Sequence, residues 1–265
     1  MQEKLTAGMS DVALLAAAPA VMSHTPSPFT SVAYKQYSTL DVVEAMRNND
    51  WVPTHANQTK TTLQFNVDYC KHVVRFTREG LSDQREGRVE VVLINSHDGK
   101  SSYRLAAGYY KLVCSNGLVV GRTFEMITFR HVGFMPQQVV DASMAFADKA
   151  GDIHNEIDKW RGLRLTDGQR HLYGMQAIKL AMPNIADRFT AADVVEPKRD
   201  IDREPTLWNT FNTAQERITQ GGIPMQGLGT RTSRGISSVG RNVAVNQALW
   251  DMTSDMYKHF SNKLN

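Results

Sequence analysis

The sequence predicts an α+β fold, with a central, mostly antiparallel sheet followed by C-terminal helices. Apolar and polar residues alternate with a period of two between residues 63 and 130, as they do in strands. After Pro136 the apolar residues recur every three to four positions, as they do in helices. A run of strands followed by a run of helices is typical of an α+β protein.

Residues 1–37 predict a loosely ordered N-terminal arm, because the segment has few charges and carries three prolines. Within it, the alanine-rich run from Ala13 to Ala20 predicts a short helix that Ser10 or Asp11 could cap. We expect residues 38–265 to form a single α+β domain.

The predicted domain begins with a helix. Either Ser38 or Thr39 can cap it, since their hydroxyls accept hydrogen bonds from the free amides of a first turn. The apolar face of this helix should run through Leu40, Val43 and Met46, and the helix should end near residues 48–49.

The sheet is predicted from alternation and from the turns that interrupt it, such as Glu79-Gly80 and Ser115-Asn116-Gly117. The stretch 103–113 fits a strand or a helix, and we favour a strand because it leads into Asn116-Gly117. The expected strands lie around residues 65–69, 74–76, 89–94, 103–113 and 123–130.

Four helices are expected after Pro136, joined in part by an exposed charged connection at residues 196–205. The first covers residues 139–157, where Gly151 could interrupt it, and the second follows Thr166-Asp167 and ends before Pro183. The last two carry the apolar faces Leu207, Phe211, Ala214, Ile218 and Val245, Leu249, Met252, Met256, Phe260.

The segment 221–241 between the last two helices has the most biased composition in the chain. It holds six glycines, three arginines and no carboxylate. Glycine allows the backbone to approach a ligand closely, and arginine supplies forked hydrogen-bond donors that suit phosphate. The segment therefore predicts either a phosphate-binding loop or a flexible, solvated linker.

Few residues suggest an enzyme. His97-Asp98 lies in a predicted turn, where Asp-Gly is mainly turn chemistry, and the histidines show no HxxxH or HExxH spacing for a metal. Gly117 to Arg122 is not a phosphate-binding P-loop, since no Lys-Ser/Thr follows its second glycine. We expect a non-catalytic protein without metal or cofactor; an enzyme acting on DNA through His97 and Asp98 is the less favoured alternative.

Basic and aromatic residues are interleaved through the predicted sheet. Residues 71–130 hold ten Lys and Arg against six Asp and Glu, a net charge of +4. Proteins bind single-stranded nucleic acid in this way, with aromatic rings that stack on bases and cations that follow the phosphates. The competing interpretation is that half of the aromatic rings face the core and that the lysines and arginines are ordinary residues of the solvent-exposed strand faces.

From these patterns we predict a single-stranded DNA-binding domain with a basic groove between the sheet and the 221–241 segment. The residues predicted to contact DNA are Arg75, Arg78, Lys100, Tyr103, Arg104, Tyr109, Tyr110, Lys111, Arg122, Arg231, Arg234 and Arg241. The basic C-terminal end predicts contacts with a protein partner or a neighbouring subunit through Tyr257, Lys258 and Lys263. It could equally be a frayed terminus.

Several runs carry a family resemblance over about residues 35–260. The segment Ser96-His97-Asp98-Gly99-Lys100-Ser101-Ser102-Tyr103 and the segment Cys114-Ser115-Asn116-Gly117-Leu118-Val119 resemble signatures of a phage and plasmid family known as a domain of unknown function. Later parts of the resemblance are Leu207-Trp208-Asn209-Thr210-Phe211-Asn212 and Asn246-Gln247-Ala248-Leu249-Trp250. The resemblance implies a context of viral or mobile-element DNA metabolism.

The chain is also similar to the single-stranded DNA-binding proteins of lytic podoviruses that package their own RNA polymerase. This likeness implies roles in bacteriophage DNA replication and recombination, and activation of late transcription by host RNA polymerase. It also leaves self-association open. The alternative is a protein-binding adapter or anti-defence factor that acts through the C-terminal helix.

Composition supports an intracellular protein. Net charge is only +3, which does not by itself identify a nucleic-acid partner. The two cysteines lack CxxC spacing, which favours free thiols in a reducing compartment. The longest apolar run, residues 12–22, has about half the length needed to cross a bilayer. We therefore expect a protein of the host cytoplasm without a membrane partner.

Overall fold

The computed structural model describes residues 8–81, 87–111, 126–129 and 134–262, with the side chains of residues 110 and 111 excepted. The chain divides into two compact units. The first contains the described residues up to 150 together with 237–240, and the second contains 151–236 and 241–262. A five-stranded antiparallel sheet precedes a set of helices, so the predicted α+β fold is confirmed.

The first unit is built on an antiparallel sheet whose strands lie side by side in chain order. The strands are β1 (Val52–Gln58), β2 (His72–Thr77), β3 (Gly87–Asn95), β4 (Tyr103–Lys111) and β5 (Ile127–Phe129), and the helices are α1 (Asp11–Ala17), α2 (Thr39–Arg47) and α3 (Pro136–Asp148). Phe134, just before α3, stacks on the Tyr103 ring of β4 with centroids 4.6 Å apart and so fixes the start of α3 on the sheet.

The N-terminal helices begin where the sequence predicts. The Ser10 and Ser38 hydroxyls each accept a hydrogen bond from a backbone amide three residues on, at 3.3 Å. Part of the segment predicted to be a loosely ordered arm is nevertheless packed on the rest of the first unit, over residues 9–22. Leu14 and Val21 are fully buried, and the Met9 amide donates to the Pro53 carbonyl of β1 at 2.7 Å. Burial of a few apolar side chains holds this charge-poor segment on the sheet.

Two parts of the sheet differ from the prediction. Residues Gln64–Tyr69 form a 3₁₀ helix instead of a strand, although Phe65, Val67 and Tyr69 alternate with polar residues. Strand β1 was not predicted, because its sequence contains Pro53 and few apolar residues. A proline is tolerated there since β1 is an edge strand, where one side needs no ladder hydrogen bonds.

The second unit is helical and has an aromatic core. The Trp160 ring lies 4.6 Å from Trp250 and 5.6 Å from Phe211, measured between centroids, and all three are buried. Its elements are α4 (Ala150–Gly162), α5 (Asp167–Ala181), α6 (Ala191–Val195), α7 (Leu207–Gln220), β6 (Gly221–Pro224), β7 (Thr232–Arg234) and most of α8 (Val239–Ser261).

The predicted helices of this region are present, with local differences. The helical run after Pro136 breaks at Lys149, whose φ of −91° and ψ of 2° leave the helix, and not at Gly151. The connection 196–205 is only partly exposed, since the Asp202 carboxylate is buried and pairs with Arg199 at 2.8 Å. The five-residue α6 was not predicted. No helix in the described ranges is long and apolar enough to span a bilayer.

A buried hydroxyl links helix α2 to three residues of the sheet. Thr39 Oγ1 lies 2.9 Å from His72 Nε2, 3.1 Å from the Tyr103 hydroxyl and 3.0 Å from Asn95 Nδ2, and all four residues are fully buried. His72 Nδ1 is 2.9 Å from the Cys70 carbonyl, which can only accept. His72 therefore carries its proton on Nδ1, and its Nε2 accepts from Thr39.

Burial lowers the pKa of His72 to about 4, and the hydrogen bond to Cys70 opposes this effect only in part. Below about pH 6.5 the His72 imidazole binds a proton in the unfolded chain but stays neutral in the folded chain until the pH falls to about 4. We therefore expect the free energy of unfolding to fall between pH 6.5 and 4, by up to ~1.4 kcal/mol per pH unit from this residue.

Urea denaturation of the wild type and of His72→Gln over this range tests the expectation. The variant should have a lower free energy of unfolding at pH 7 than the wild type. Its free energy of unfolding should also fall less steeply as the pH is lowered from 6.5 to 4. The exposed His171 on α5 provides the control, because His171→Gln should keep the wild-type slope. If the free energy of unfolding of His72→Gln depends on pH as steeply as that of the wild type, His72 does not have the lowered pKa.

Candidate nucleic-acid interface

Two of the tyrosines of β4, Tyr103 and Tyr109, are not available to stack on bases. Tyr103 is fully buried and Tyr109 is 2% exposed, on the same face of the strand as Leu105. Successive residues of a strand point to opposite faces, so Arg104 points the other way and is exposed. We remove Tyr103 and Tyr109 from the candidate DNA-contacting residues and retain Arg104.

Arg75 is engaged by a buried carboxylate. Its Nε lies 2.9 Å from Glu90 Oε2, and Arg88 Nε lies 2.7 Å from Glu90 Oε1. The Glu90 side chain is fully buried and also accepts a hydrogen bond from Thr54 at 2.9 Å. A buried carboxylate needs such compensation, so the interactions seen for Arg75 are structural.

Arg78 is also held by its neighbours. Its guanidinium lies 5.8 Å from the centroid of the Trp51 ring, and its Nη1 donates to the sulfur of Met144 at 2.6 Å. Arg78 is half-buried by these contacts. The side chains of Tyr110, Lys111, Arg122 and Lys263 lie outside the described residues, so their roles stay predictions.

The signature segment 96–103 builds a tight turn. Asp98 Oδ1 accepts from the Ser96 hydroxyl at 2.6 Å and from the Lys100 amide at 3.0 Å. Gly99 has a φ of 73°, and a Cβ at this position would lie 3.2 Å from Thr30. These contacts give the motif a structural role, and they leave Lys100 exposed at the tip.

An aromatic residue that the sequence interpretation missed lies beside this turn. Phe29 is 79% exposed, and its loop is fixed to the turn by a hydrogen bond from the Ser27 amide to the His97 carbonyl at 2.9 Å. Lys35 and Lys100 are exposed on the same two segments. We call Phe29, Lys35 and Lys100 the turn surface. The clue in the sequence was an aromatic residue directly after Pro28, in a segment without helical or strand periodicity.

The 221–241 segment forms a hairpin where the sequence suggested an open loop. Gly221 of β6 pairs with Arg234 of β7, and the Met225 amide donates to the Arg231 carbonyl at 3.0 Å. Ile223 is fully buried and anchors the hairpin. The side chains of Arg231 and Arg234 are exposed on it.

Two further exposed arginines of the second unit lie on other segments of the chain. The Gln226 amide donates to the carbonyl of Arg188 at 2.8 Å, which brings the exposed Arg188 to the hairpin. Arg241, at the start of α8, is exposed and donates to the Ala181 carbonyl at 3.2 Å. Sequence patterns could not identify Arg188, since more than thirty residues separate it from the hairpin.

We call Arg188, Arg231, Arg234 and Arg241 the hairpin surface. The turn surface lies in the first unit and the hairpin surface in the second. The predicted groove would combine residues of both units and stays a prediction. Within the described ranges, no group of three or more His, Cys, Asp and Glu residues could hold a metal ion.

The fold and these surfaces define an α+β protein with a five-stranded antiparallel meander and an arginine-bearing hairpin on a helical unit. The chain belongs to the family described as Domain of unknown function (DUF932), whose model matches residues 29–250. This confirms the resemblance to a family of unknown function, and the matched range contains the 96–103 signature.

Two curated relatives come from Escherichia coli (strain K12). UPF0380 protein YfjQ is 27% identical over 240 residues, covering 90% of this chain and 88% of the relative. UPF0380 protein YafZ is 26% identical over 236 residues, covering 88% of this chain and 86% of the relative. No solved structure matches the chain.

The hairpin provides a test of its own backbone geometry. Gly221 and Gly222 have φ values of 79° and 84°, so alanine at either position should cost about 1–2 kcal/mol of backbone strain. Only at Gly221 would a Cβ also collide, at 2.6 Å from the Gly235 amide nitrogen.

We therefore expect Gly221→Ala to lower the free energy of unfolding by clearly more than Gly222→Ala, in urea denaturation at pH 7. Gly222 is the matched control, because a Cβ added there would meet no atom within 4 Å. Equal losses of stability in the two variants would contradict the close approach of β6 to β7.

Proposed function

We propose that this protein binds single-stranded DNA without sequence preference and without catalysis. The observation that carries the proposal is the hairpin surface, where four exposed arginines come from three separated segments of the second unit. The 221–241 segment itself contains no carboxylate, so it adds no negative charge to this surface. Clustered guanidinium groups attract phosphates and release condensed counterions on binding.

The turn surface favours single-stranded DNA over double-stranded DNA as the ligand. The Phe29 ring is exposed beside two lysines, and an unpaired base offers a free face for stacking. In a duplex those faces are already stacked on neighbouring pairs. Cations beside an aromatic ring are the combination that sequence-tolerant single-strand binders use.

The proposal extends to the biological context that the sequence resemblance implies. We place the protein in bacteriophage DNA replication and recombination in the host cytoplasm, with activation of late transcription by host RNA polymerase as a further role. Of the residues predicted to contact a partner, Tyr257 is half-buried and Lys258 is exposed, with its ammonium 3.5 Å from Asp255.

The hairpin surface predicts a measurable salt dependence. A variant with Arg188, Arg231, Arg234 and Arg241 all replaced by alanine should bind oligothymidine more weakly. The plot of log K against log salt should also be flatter, by about 0.7 for each phosphate that the variant no longer neutralises. Fluorescence anisotropy over a salt series gives both quantities.

The matched control is a double alanine variant of Arg164 and Arg203. Both are exposed arginines of the same unit outside the hairpin surface, and they pair with Glu204 at 2.6 Å and with Asp200 at 2.8 Å. This control should keep the wild-type slope. If the four-arginine variant keeps it too, the hairpin surface does not bind DNA.

Stacking predicts a different signature for Phe29. Phe29→Ala should weaken oligothymidine binding by about 1–3 kcal/mol while leaving the salt slope unchanged, because the ring carries no charge. Phe29→Trp should restore the affinity. Val32→Ala is the control, since Val32 is a fully exposed apolar residue of the same segment. An unaltered affinity in Phe29→Ala would exclude the ring from the site.

A further inference from the structure

The hairpin tip, residues 225–231, joins β6 to β7 through two consecutive β-turns. The Leu228 amide donates to the Met225 carbonyl at 3.4 Å and closes the first turn. The Arg231 amide donates to the Leu228 carbonyl at 3.3 Å and closes the second. The hydrogen bond from the Met225 amide to the Arg231 carbonyl closes the base, so three bonds define the backbone path of the tip.

The backbone of the hairpin tip changes hand at every residue from 226 to 230. Gly227 and Gly229 have φ values of 71° and 61°, whereas Gln226, Leu228 and Thr230 have negative φ values. Where residues of opposite hand follow one another in turns, successive backbone N–H groups form a concavity that binds anions. The hairpin tip therefore has the backbone pattern of such an anion-binding nest.

Three amides of the hairpin tip are not used by the protein itself. The amides of Gly227, Gly229 and Thr230 make no hydrogen bond to any residue that the structure describes, and all three residues are exposed. The Gln226 amide, in contrast, is already bonded to the Arg188 carbonyl at 2.8 Å. Free backbone donors need an acceptor from outside the chain, which is either water or an oxyanion.

The charge around the hairpin tip favours the oxyanion. Arg231 closes the second turn, and Arg188 is attached to the first turn through its carbonyl. Both side chains are exposed, and neither pairs with a carboxylate among the described residues, unlike Arg164 and Arg203 of the same unit. The hairpin contains no carboxylate, and Asp187 beside Arg188 offsets only one of the two positive charges.

We propose that the hairpin tip is a phosphate-binding nest. The amides of Gly227, Gly229 and Thr230 donate to the oxygens of one phosphate group, and the guanidinium groups of Arg188 and Arg231 neutralise its charge. Phosphate suits this donor set because its several oxygens accept hydrogen bonds from amides and forked guanidinium groups together. Assigning that phosphate to an internal phosphodiester of single-stranded DNA rests on the proposed function, whereas the nest itself does not.

This nest explains how the hairpin would hold DNA of any sequence. Phosphate contacts position a nucleic acid without reading its bases, and backbone amides contribute such contacts as side chains do. The arginines of the hairpin surface attract the strand over a distance, while the hairpin tip fixes one phosphate at a defined place.

Inorganic phosphate tests the nest on the full-length protein. In nitrogen-15-labelled protein, a phosphate titration should shift the amide proton resonances of Gly227, Gly229 and Thr230 downfield and saturably. Chloride at the same pH and ionic strength should not do so. Gly80 is the internal control, because it is an exposed glycine of the first unit that also has a positive φ, of 86°.

Two double variants separate the backbone geometry from the mere loss of glycine. Asparagine tolerates a positive φ, so Gly227→Asn, Gly229→Asn should retain the turns. Valine is β-branched and strongly disfavoured there, so Gly227→Val, Gly229→Val should rearrange the hairpin tip. Crowding affects neither pair, since a Cβ at either position would meet no atom within 4 Å.

The binding probe is oligothymidine without terminal phosphates. The valine pair should bind it about tenfold more weakly than the wild type, which is the size expected for lost hydrogen bonds to a charged group. The asparagine pair should stay within about twofold of the wild type. The phosphate-induced shifts of the Thr230 amide should disappear in the valine pair and persist in the asparagine pair. Circular dichroism melting curves check that both variants are folded.

The nest is refuted if phosphate shifts the three amides no more than chloride does, or if the valine pair binds oligothymidine as tightly as the asparagine pair. A failure of the DNA-binding proposal looks different. In that case inorganic phosphate still shifts the amides of the hairpin tip, although oligothymidine does not bind. Conversely, if only the four-arginine variant loses affinity for oligothymidine, DNA binding stands and the nest does not.

Discussion

The hydrogen bonds around the Thr39 hydroxyl fix the arrangement of the first unit. This one buried oxygen lies within hydrogen-bond distance of His72 on β2, Asn95 on β3 and Tyr103 on β4. Thr39, which carries it, is the first residue of helix α2. Buried polar groups are costly when a partner is missing, so the three strands and the helix can form this core only in one register. The turn after β3 is thereby fixed, and with it the position of Lys100.

This constraint gives the signature segment a structural meaning. Asp98 closes the turn, and His97 and Tyr103 are buried. A family signature often suggests a reaction centre, yet these side chains build the scaffold on which other residues are exposed. The groups open to solvent beside it are Phe29 and Lys100, and they have the chemistry of a surface that binds a ligand through stacking and charge.

The second unit exposes arginines on and beside its hairpin. Three of the four arginines of the hairpin surface lie in the 221–241 segment, which contains no carboxylate. Positive charge of this kind attracts polyanions in general, whatever their sequence.

The sequence by itself determined the α+β order, the starts of three helices to within one residue, near Ser10, Ser38 and Thr166, and the apolar face of α7. These features depend on local hydrogen bonding and periodicity, which neighbouring residues encode. Tertiary structure decided which candidate side chains remain exposed. Strand alternation buried Tyr103 and Tyr109 of β4, and a hydrogen bond from the Gln226 amide to the Arg188 carbonyl brought Arg188 to the hairpin. Such availability depends on contacts between distant residues, which a local pattern does not contain.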